Sequence, residues 1–165
     1  MSEIRPPFHY HIVLVEPEIP PNTGNAGRLC VATQSTLHLV GQLGFSLGDK
    51  EVRRAGLDYW KFVDIKTHDS FESWLLWMQN EVPETPFFLF SKKARASLYD
   101  IPLPPQAAFV FGKETKGLPE NLLARFEKNT LGIPMFSEKI RSLNLSNAIS
   151  VTLYEAIRQN YRPKL

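Results

Sequence analysis

The chain has 165 residues, a single cysteine and a formal net charge of +2, with 43% hydrophobic and 22% charged residues. That length buries a core without disulfides, lone Cys30 excludes an internal disulfide framework and fits a reducing compartment, and no apolar run reaches the roughly 20 residues that cross a membrane. The first seven residues are polar and Pro-rich, unlike a secretory signal, so the expectation is a cytoplasmic protein with one domain over 1–165.

In chain order, residues 10–15 (YHIVLV) form a short β-branched run closed by Glu16-Pro17 and read as a buried strand. Residues 19–24 are turn-rich, and beyond them Ala26, Leu29, Cys30 and Thr33 recur at helical spacing, with Asn22 or Thr23 as N-cap. Residues 37–40 are a second strand, 50–57 a short charged helix and 62–65 a third strand. Ser70 opens a helix with Phe71, Trp74, Leu75 and Met78 on one face. Strands at 87–90 and 107–111, a helix over 118–126 and a strand at 130–133 follow. The last helix starts near Ser146 and buries Ile149, Leu153, Ala156 and Ile157. Strands alternating with helices, each strand a continuous apolar run, predict an α/β fold: a mostly parallel sheet with helices on both faces. In such sheets ligands collect at the C-terminal ends of the strands.

Three polar segments follow such ends. The first, 20–28 (PPNTGNAGR), sets two amides, a glycine and Arg28 at a helix N-terminus, where backbone donors and the helix dipole suit an anion; a capped helix with a solvent-facing arginine explains it equally. The second, 111–118 (FGKETKGL), spaces its glycines as a phosphate loop does. Leu118-Pro119 stands where that loop needs Lys-Ser/Thr, which rules the phosphate loop out. What remains is a glycine at a strand end, open to close approach, with Glu114 directed to the same region, or else a turn with two structural glycines. The third, 140–148 (IRSLNLSNA), crowds Ser142, Asn144, Ser146 and Asn147 ahead of the last helix, more capping side chains than one helix needs. The four histidines lack metal-ligand spacing, so no metal site is expected. Cys30 falls on the apolar face of its helix and reads as core rather than nucleophile. Tyr59-Trp60 serves either as base-stacking pair or as core.

Together the segments resemble the trefoil-knotted SPOUT RNA methyltransferases, in particular their 2′-O-ribose branch. The first motif is similar to Asn22-x-Gly24-Asn25-x-x-Arg28 and the second to Phe111-Gly112-x-Glu114-x-x-Gly117-Leu118. The third is similar to Ile133-Pro134-Met135 followed by Ser142-Leu143-Asn144-x-Ser146-Asn147-Ala148. The opening Glu16-Pro17-Glu18-Ile19 and the stretch Arg53-Arg54-Ala55-Gly56-Leu57-Asp58-Tyr59 resemble the minimal branch that methylates the wobble-nucleotide ribose of certain leucine tRNAs. The loop 136–140 is one residue longer than that pattern.

The resemblance implies a C-terminal trefoil knot and a homodimer that holds a tRNA anticodon stem-loop. It also implies S-adenosylmethionine bound against Phe90, Gly112, Glu114, Ile133, Met135, Ser142 and Leu143. Arg28, Ser142 and Asn144 would be catalytic, and Asn25, Arg28, Arg53 and Arg54 would contact RNA. Basic residues also cluster at Lys92, Lys93 and Arg95, which suits either a solvated face or an acidic partner.

Overall fold

The computed structural model describes residues 4–48, 50 and 59–162. Strands β1 (His9–Val15), β2 (Thr36–Val40), β3 (Asp64–His68), β4 (Phe87–Phe90), β5 (Ala96–Ser97), β6 (Gln106–Phe111) and β7 (Thr130–Gly132) form one sheet. The spatial order is β3-β2-β1-β6-β4-β7-β5, and all the pairings are parallel. Helices α1 (Pro20–Thr33), α2 (Phe71–Glu81), α3 (Glu120–Arg125) and α4 (Leu145–Asn160) connect or follow the strands.

Alternation along the strands divides the core in two. Tyr10, Ile12 and Leu14 of β1 and Phe109 of β6 pack with Ala26 and Cys30 of α1 and Ile149 and Leu153 of α4. Val13, Ala108 and Val110 pack with Phe71, Trp74 and Met78 of α2 and Leu122 of α3. The expected parallel sheet covered on both faces is therefore what the chain forms, since each side of the sheet is an apolar surface that needs its own helices. Cys30 is fully buried, and burial pushes its thiol far up, as befits a core residue.

Several expected boundaries move. The third strand runs from Asp64 to His68, not over 62–65, because Trp60–Phe62 forms a 3₁₀ turn and Trp60 and Val63 pack on α1 instead of pairing. The sixth expected strand stops at Gly132, and β6 stops at Phe111, so Gly112 lies just past it. The helix expected over 118–126 is only Glu120–Arg125, since Pro119 is its N-cap. The two-residue β5 carries no periodicity that a sequence pattern would register. The charged helix at 50–57 lies, apart from Lys50, outside the described residues.

Strand β7 is inserted between β4 and β5, which the chain lays down in succession. The 91–95 connection therefore passes over its end: a Cβ on Gly132 would come 3.2 Å from the Ser91 carbonyl and 3.5 Å from Ala94. Ser91 N–H donates to the Leu131 carbonyl at 3.0 Å. The far end of α4 is anchored as well. Tyr10 Oη donates to the Ala156 carbonyl at 3.1 Å, and Asn160 Nδ2 donates to the Leu103 carbonyl at 2.9 Å.

Under α2 lies a polar ladder that spacing along the chain did not reveal. His11 Nδ1 meets His38 Nε2 at 2.9 Å, and His38 Nδ1 meets His68 Nε2 at 3.0 Å. The three rings step diagonally across β1, β2 and β3, since His11 is opposite Thr36 and His38 is opposite Lys66. Trp77 covers them, its ring centroid 5.7, 4.8 and 5.9 Å from theirs. Each contact needs one N–H and one lone pair, so three neutral imidazoles satisfy the chain head to tail. Burial, reinforced by neighbouring histidines and Lys66, pulls the pKa of His11 down to about 4 and that of His38 to about 2.

Candidate active site

Helix α1 begins at Pro20, not after a loop through Gly24, and its N-cap is Ile19 rather than Asn22 or Thr23. Prolines in the first turn lose nothing there, because those N–H groups have no helical partner. Ile19 supplies no capping side chain, and the first turn of α1 holds no acidic residue. Glu114, nearly a hundred residues downstream, supplies the negative charge at this end and binds the backbone just ahead of the helix. Its Oε2 accepts from Glu18 N–H at 2.8 Å, and its Oε1 accepts from Ile19 N–H at 3.1 Å and from Asn22 Nδ2 at 3.2 Å. The anion that this helix end was expected to attract is thus the chain's own carboxylate.

Asn22 passes the connection onward. Its Oδ1 accepts from Asn144 Nδ2 at 3.1 Å. Asn144 is the N-cap of α4, and its Oδ1 accepts from Ser146 N–H at 2.9 Å and from Ser146 Oγ at 2.6 Å. Every amide in this relay has one orientation, since Glu114 only accepts and each donor faces an acceptor. Glu114, Asn22 and Asn144 therefore join the three polar segments of the sequence into one junction. Asn22 is buried within it.

The loop that presents Glu114 is folded tightly on itself. Gly117 N–H donates to the Lys113 carbonyl at 2.8 Å, and Gly117 takes φ +69°. A Cβ on Gly112 would lie 2.1 Å from the Gly117 carbonyl carbon and 2.2 Å from Leu118 N. Close approach at Gly112 is thus demanded first by the chain's own backbone. Thr115 Oγ1 donates to Glu18 Oε1 at 2.7 Å, and Lys113 Nζ lies 3.5 Å from Glu16 Oε2.

Arg28 and Asn25 are exposed on α1. They line an open groove of about 320 Å³ whose far wall is Ser146, Asn147 and Ser150 of α4. The Arg28 guanidinium carbon lies 5.5 Å from the centre of the Tyr59 ring, and Tyr59 Oη donates to the Gly24 carbonyl at 3.0 Å. Among the described residues no hydrogen bond joins Arg28 to Ser142 or Asn144. Phe90, Gly112 and Ile133 come together where β4, β6 and β7 end side by side. The Phe90 ring is buried, stacked 4.9 Å from Phe111, so it forms the floor there. Ser142 is exposed in the segment between β7 and α4, and Met135 and Leu143 are each 37% exposed. Arg53 and Arg54 lie outside the described residues. No group of three or more His, Cys, Asp or Glu side chains among the described residues is placed to hold a metal ion.

Two positions escaped the sequence reading. Asn22 looked like a cap, yet it is the hub between Glu114 and Asn144. Tyr59 looked like a core or stacking ring, yet it touches Arg28.

The sequence profile of the SpoU rRNA methylase family matches residues 9–154, from β1 through most of α4, and the chain belongs to that family. It is a methyltransferase, and its relatives point to one kind. It is 47% identical over 152 residues to the tRNA (cytidine(34)-2′-O)-methyltransferase of Acidovorax sp. strain JS42, covering 92% of each chain. A chain solved in work on the 2-OH methylation of C/U34 on tRNA superposes with a TM-score of 0.86 at 45% identity, over 93% of this chain and 97% of that one. An AdoMet-bound rRNA methyltransferase from Sinorhizobium meliloti shares the fold, with a TM-score of 0.80 at 23% identity over 94% of this chain and 58% of that one.

Proposed function

We propose that this methyltransferase transfers the methyl group of S-adenosylmethionine to the ribose 2′-hydroxyl of nucleotide 34, a cytidine or uridine, in leucine tRNAs. The observation that carries the reading is the Glu114–Asn22–Asn144 junction. It holds three segments, each matching a motif of the resemblance, against one another beside an exposed arginine. The relatives acting on position 34 of tRNA are similar over nearly their whole length, which favours that substrate over a ribosomal one.

The residues that the resemblance assigns to the cofactor fit it by their chemistry. Ile133, Met135 and Leu143 offer partly exposed apolar walls for an adenosyl group, and Ser142 and the Gly112 backbone offer polar contacts. The insertion of β7 between β4 and β5 supports the threaded C-terminal path that the resemblance implies. When bound, the cofactor supplies an electrophilic methyl on a sulfonium. The chain's own task is alignment, which supplies roughly 7–11 kcal/mol in well-oriented reactions.

The Arg28 guanidinium is not assigned as a general base, because such groups do not serve as bases in proteins. It therefore serves by holding an RNA phosphate and stabilising charge that develops on the 2′-oxygen. Asn144 acts by fixing the start of α4, and Ser142 acts by orienting the hydroxyl or the cofactor. Glu114 positions α1, and Arg53 and Arg54 contact RNA phosphates. The active species is a cytoplasmic homodimer that holds the anticodon stem-loop across both subunits.

The test is transfer of labelled methyl from S-adenosylmethionine into unmodified total tRNA, followed by nucleoside mapping. Label on ribose 34 of leucine tRNA is the expected result. Label on another ribose keeps the reaction and rejects the substrate, and absence of label with purified cofactor and tRNA rejects both.

A further inference from the structure

Arg28 stands on a helix surface, and a long exposed side chain there samples many rotamers. The structure gives it a neighbour that limits this freedom. The turn at Tyr59 and Trp60 is docked on one stretch of α1. Trp60 lies against Gly27, where a Cβ would come 2.7 Å from its ring. Tyr59 Oη donates to the Gly24 carbonyl, one turn before Arg28, and the Tyr59 ring lies beneath the Arg28 guanidinium at 5.5 Å. Burial pushes the Tyr59 hydroxyl up and Arg28 opposes it, so at neutral pH the hydroxyl keeps the proton that it donates.

We infer that Tyr59 is a positioning residue for methyl transfer: its hydroxyl fixes the ring on α1, and the ring holds the Arg28 guanidinium in place at the α1–α4 groove. A ring quadrupole attracts a guanidinium face-on and leaves the N–H fork free to bond outward. The hydrogen bond to Gly24 ties the ring to the same helix that bears Arg28, so ring and guanidinium move together. This inference rests on Arg28 acting at the reacting hydroxyl.

The experiment is a double-mutant cycle on methyl transfer with saturating cofactor and tRNA. It combines Tyr59→Leu, Tyr59→Phe and Arg28→Lys. Tyr59→Leu removes the ring face and is expected to lower kcat about tenfold or more, since misplacement near 1 Å costs up to about a hundredfold. Its dissociation constant for S-adenosylmethionine should stay within about twofold of wild type, because Tyr59 bonds Gly24 and holds Arg28, neither of which is assigned to the cofactor. Tyr59→Phe keeps the ring but releases it from the Gly24 carbonyl, so its kcat should fall between those of wild type and Tyr59→Leu, and a wild-type kcat would overturn the role of the hydroxyl. In the Arg28→Lys background, Tyr59→Leu should add less than about a twofold further loss.

Full additivity of the two losses, or wild-type kcat in Tyr59→Leu beside a crippled Arg28→Lys, overturns the role of Tyr59 alone. A fully active Arg28→Lys overturns the role of Arg28 and this inference with it. Should Tyr59→Leu fail to fold, the wild-type protein still decides the matter by NMR. Arg28 side-chain protons over a ring must be shifted upfield, and unshifted signals overturn the inference.

Discussion

Acidification offers a sharp test of the buried histidine ladder. His11 and His38 are held neutral at pKa values of about 4 and about 2, whereas the unfolded chain protonates each near 6.5. Between these values the unfolded state carries protons that the folded state refuses, so stability rises with pH across the window. The stabilisation is complete above about pH 6.5 and is lost as pH falls, through about 4 for His11 and lower still for His38. Each such histidine costs about 1.4 kcal/mol per pH unit below its unfolded pKa. From pH 7 to pH 5 this gives about 2 kcal/mol per ring and about 4 kcal/mol for the two.

Few carboxylates protonate in that range, and a loss of this size is a large part of a total stability of about 5–15 kcal/mol. Among the described residues, His9, Lys66 and His68 oppose protonation of the ladder and Asp64 favours it. Urea unfolding followed by tryptophan fluorescence at pH 7 and pH 5 measures the difference, with Trp77 seated on the rings as an intrinsic probe. His38→Gln keeps a donor and an acceptor but no titration, and it should roughly halve the pH dependence. Equal midpoints at the two pH values, or an unchanged slope in His38→Gln, would refute the argument.

Glu114→Gln sets an amide against three donors and removes the negative charge at the start of α1. It should cost about 3 kcal/mol, and a loss below about 0.5 kcal/mol in urea unfolding would contradict the capping role. Gly112→Ala and Gly117→Ala separate space from conformation. The first forces a Cβ into the Gly117–Leu118 backbone and should cost about 3 kcal/mol, whereas the second meets nothing within 4 Å and should cost only about 1–2 kcal/mol for its positive φ. Thermal melts yielding the reverse order would refute it. Arg53→Ala and Arg54→Ala should each flatten the salt dependence of tRNA binding by about 0.7–0.9 in the log–log slope, and an unchanged slope would leave them as solvated surface.

The layered architecture was legible in the chain itself. Continuous apolar strands at 10–15, 37–40, 87–90 and 107–111 can only be buried on both faces, and one amphipathic stripe per helix says where each helix must lie. The α2 stripe of Phe71, Trp74, Leu75 and Met78 is where periodicity placed it, capped by Ser70. The three polar segments were legible as unusual, because each spends more glycines, amides or hydroxyls than a turn or cap requires. The tertiary structure alone decided what those residues bond to. Among the described residues Glu114 bonds only distant partners, and the adjacency of β1 and β6 carries its carboxylate to the start of α1. Asn22 meets Asn144 across 122 residues, His11 meets His38 across 27, and Tyr59 reaches Gly24 across 35. Local pattern reports which face a residue takes, since that follows from the helical or strand period. Which distant residue shares that face depends on strand order and register, and those are set by the packing of the whole sheet.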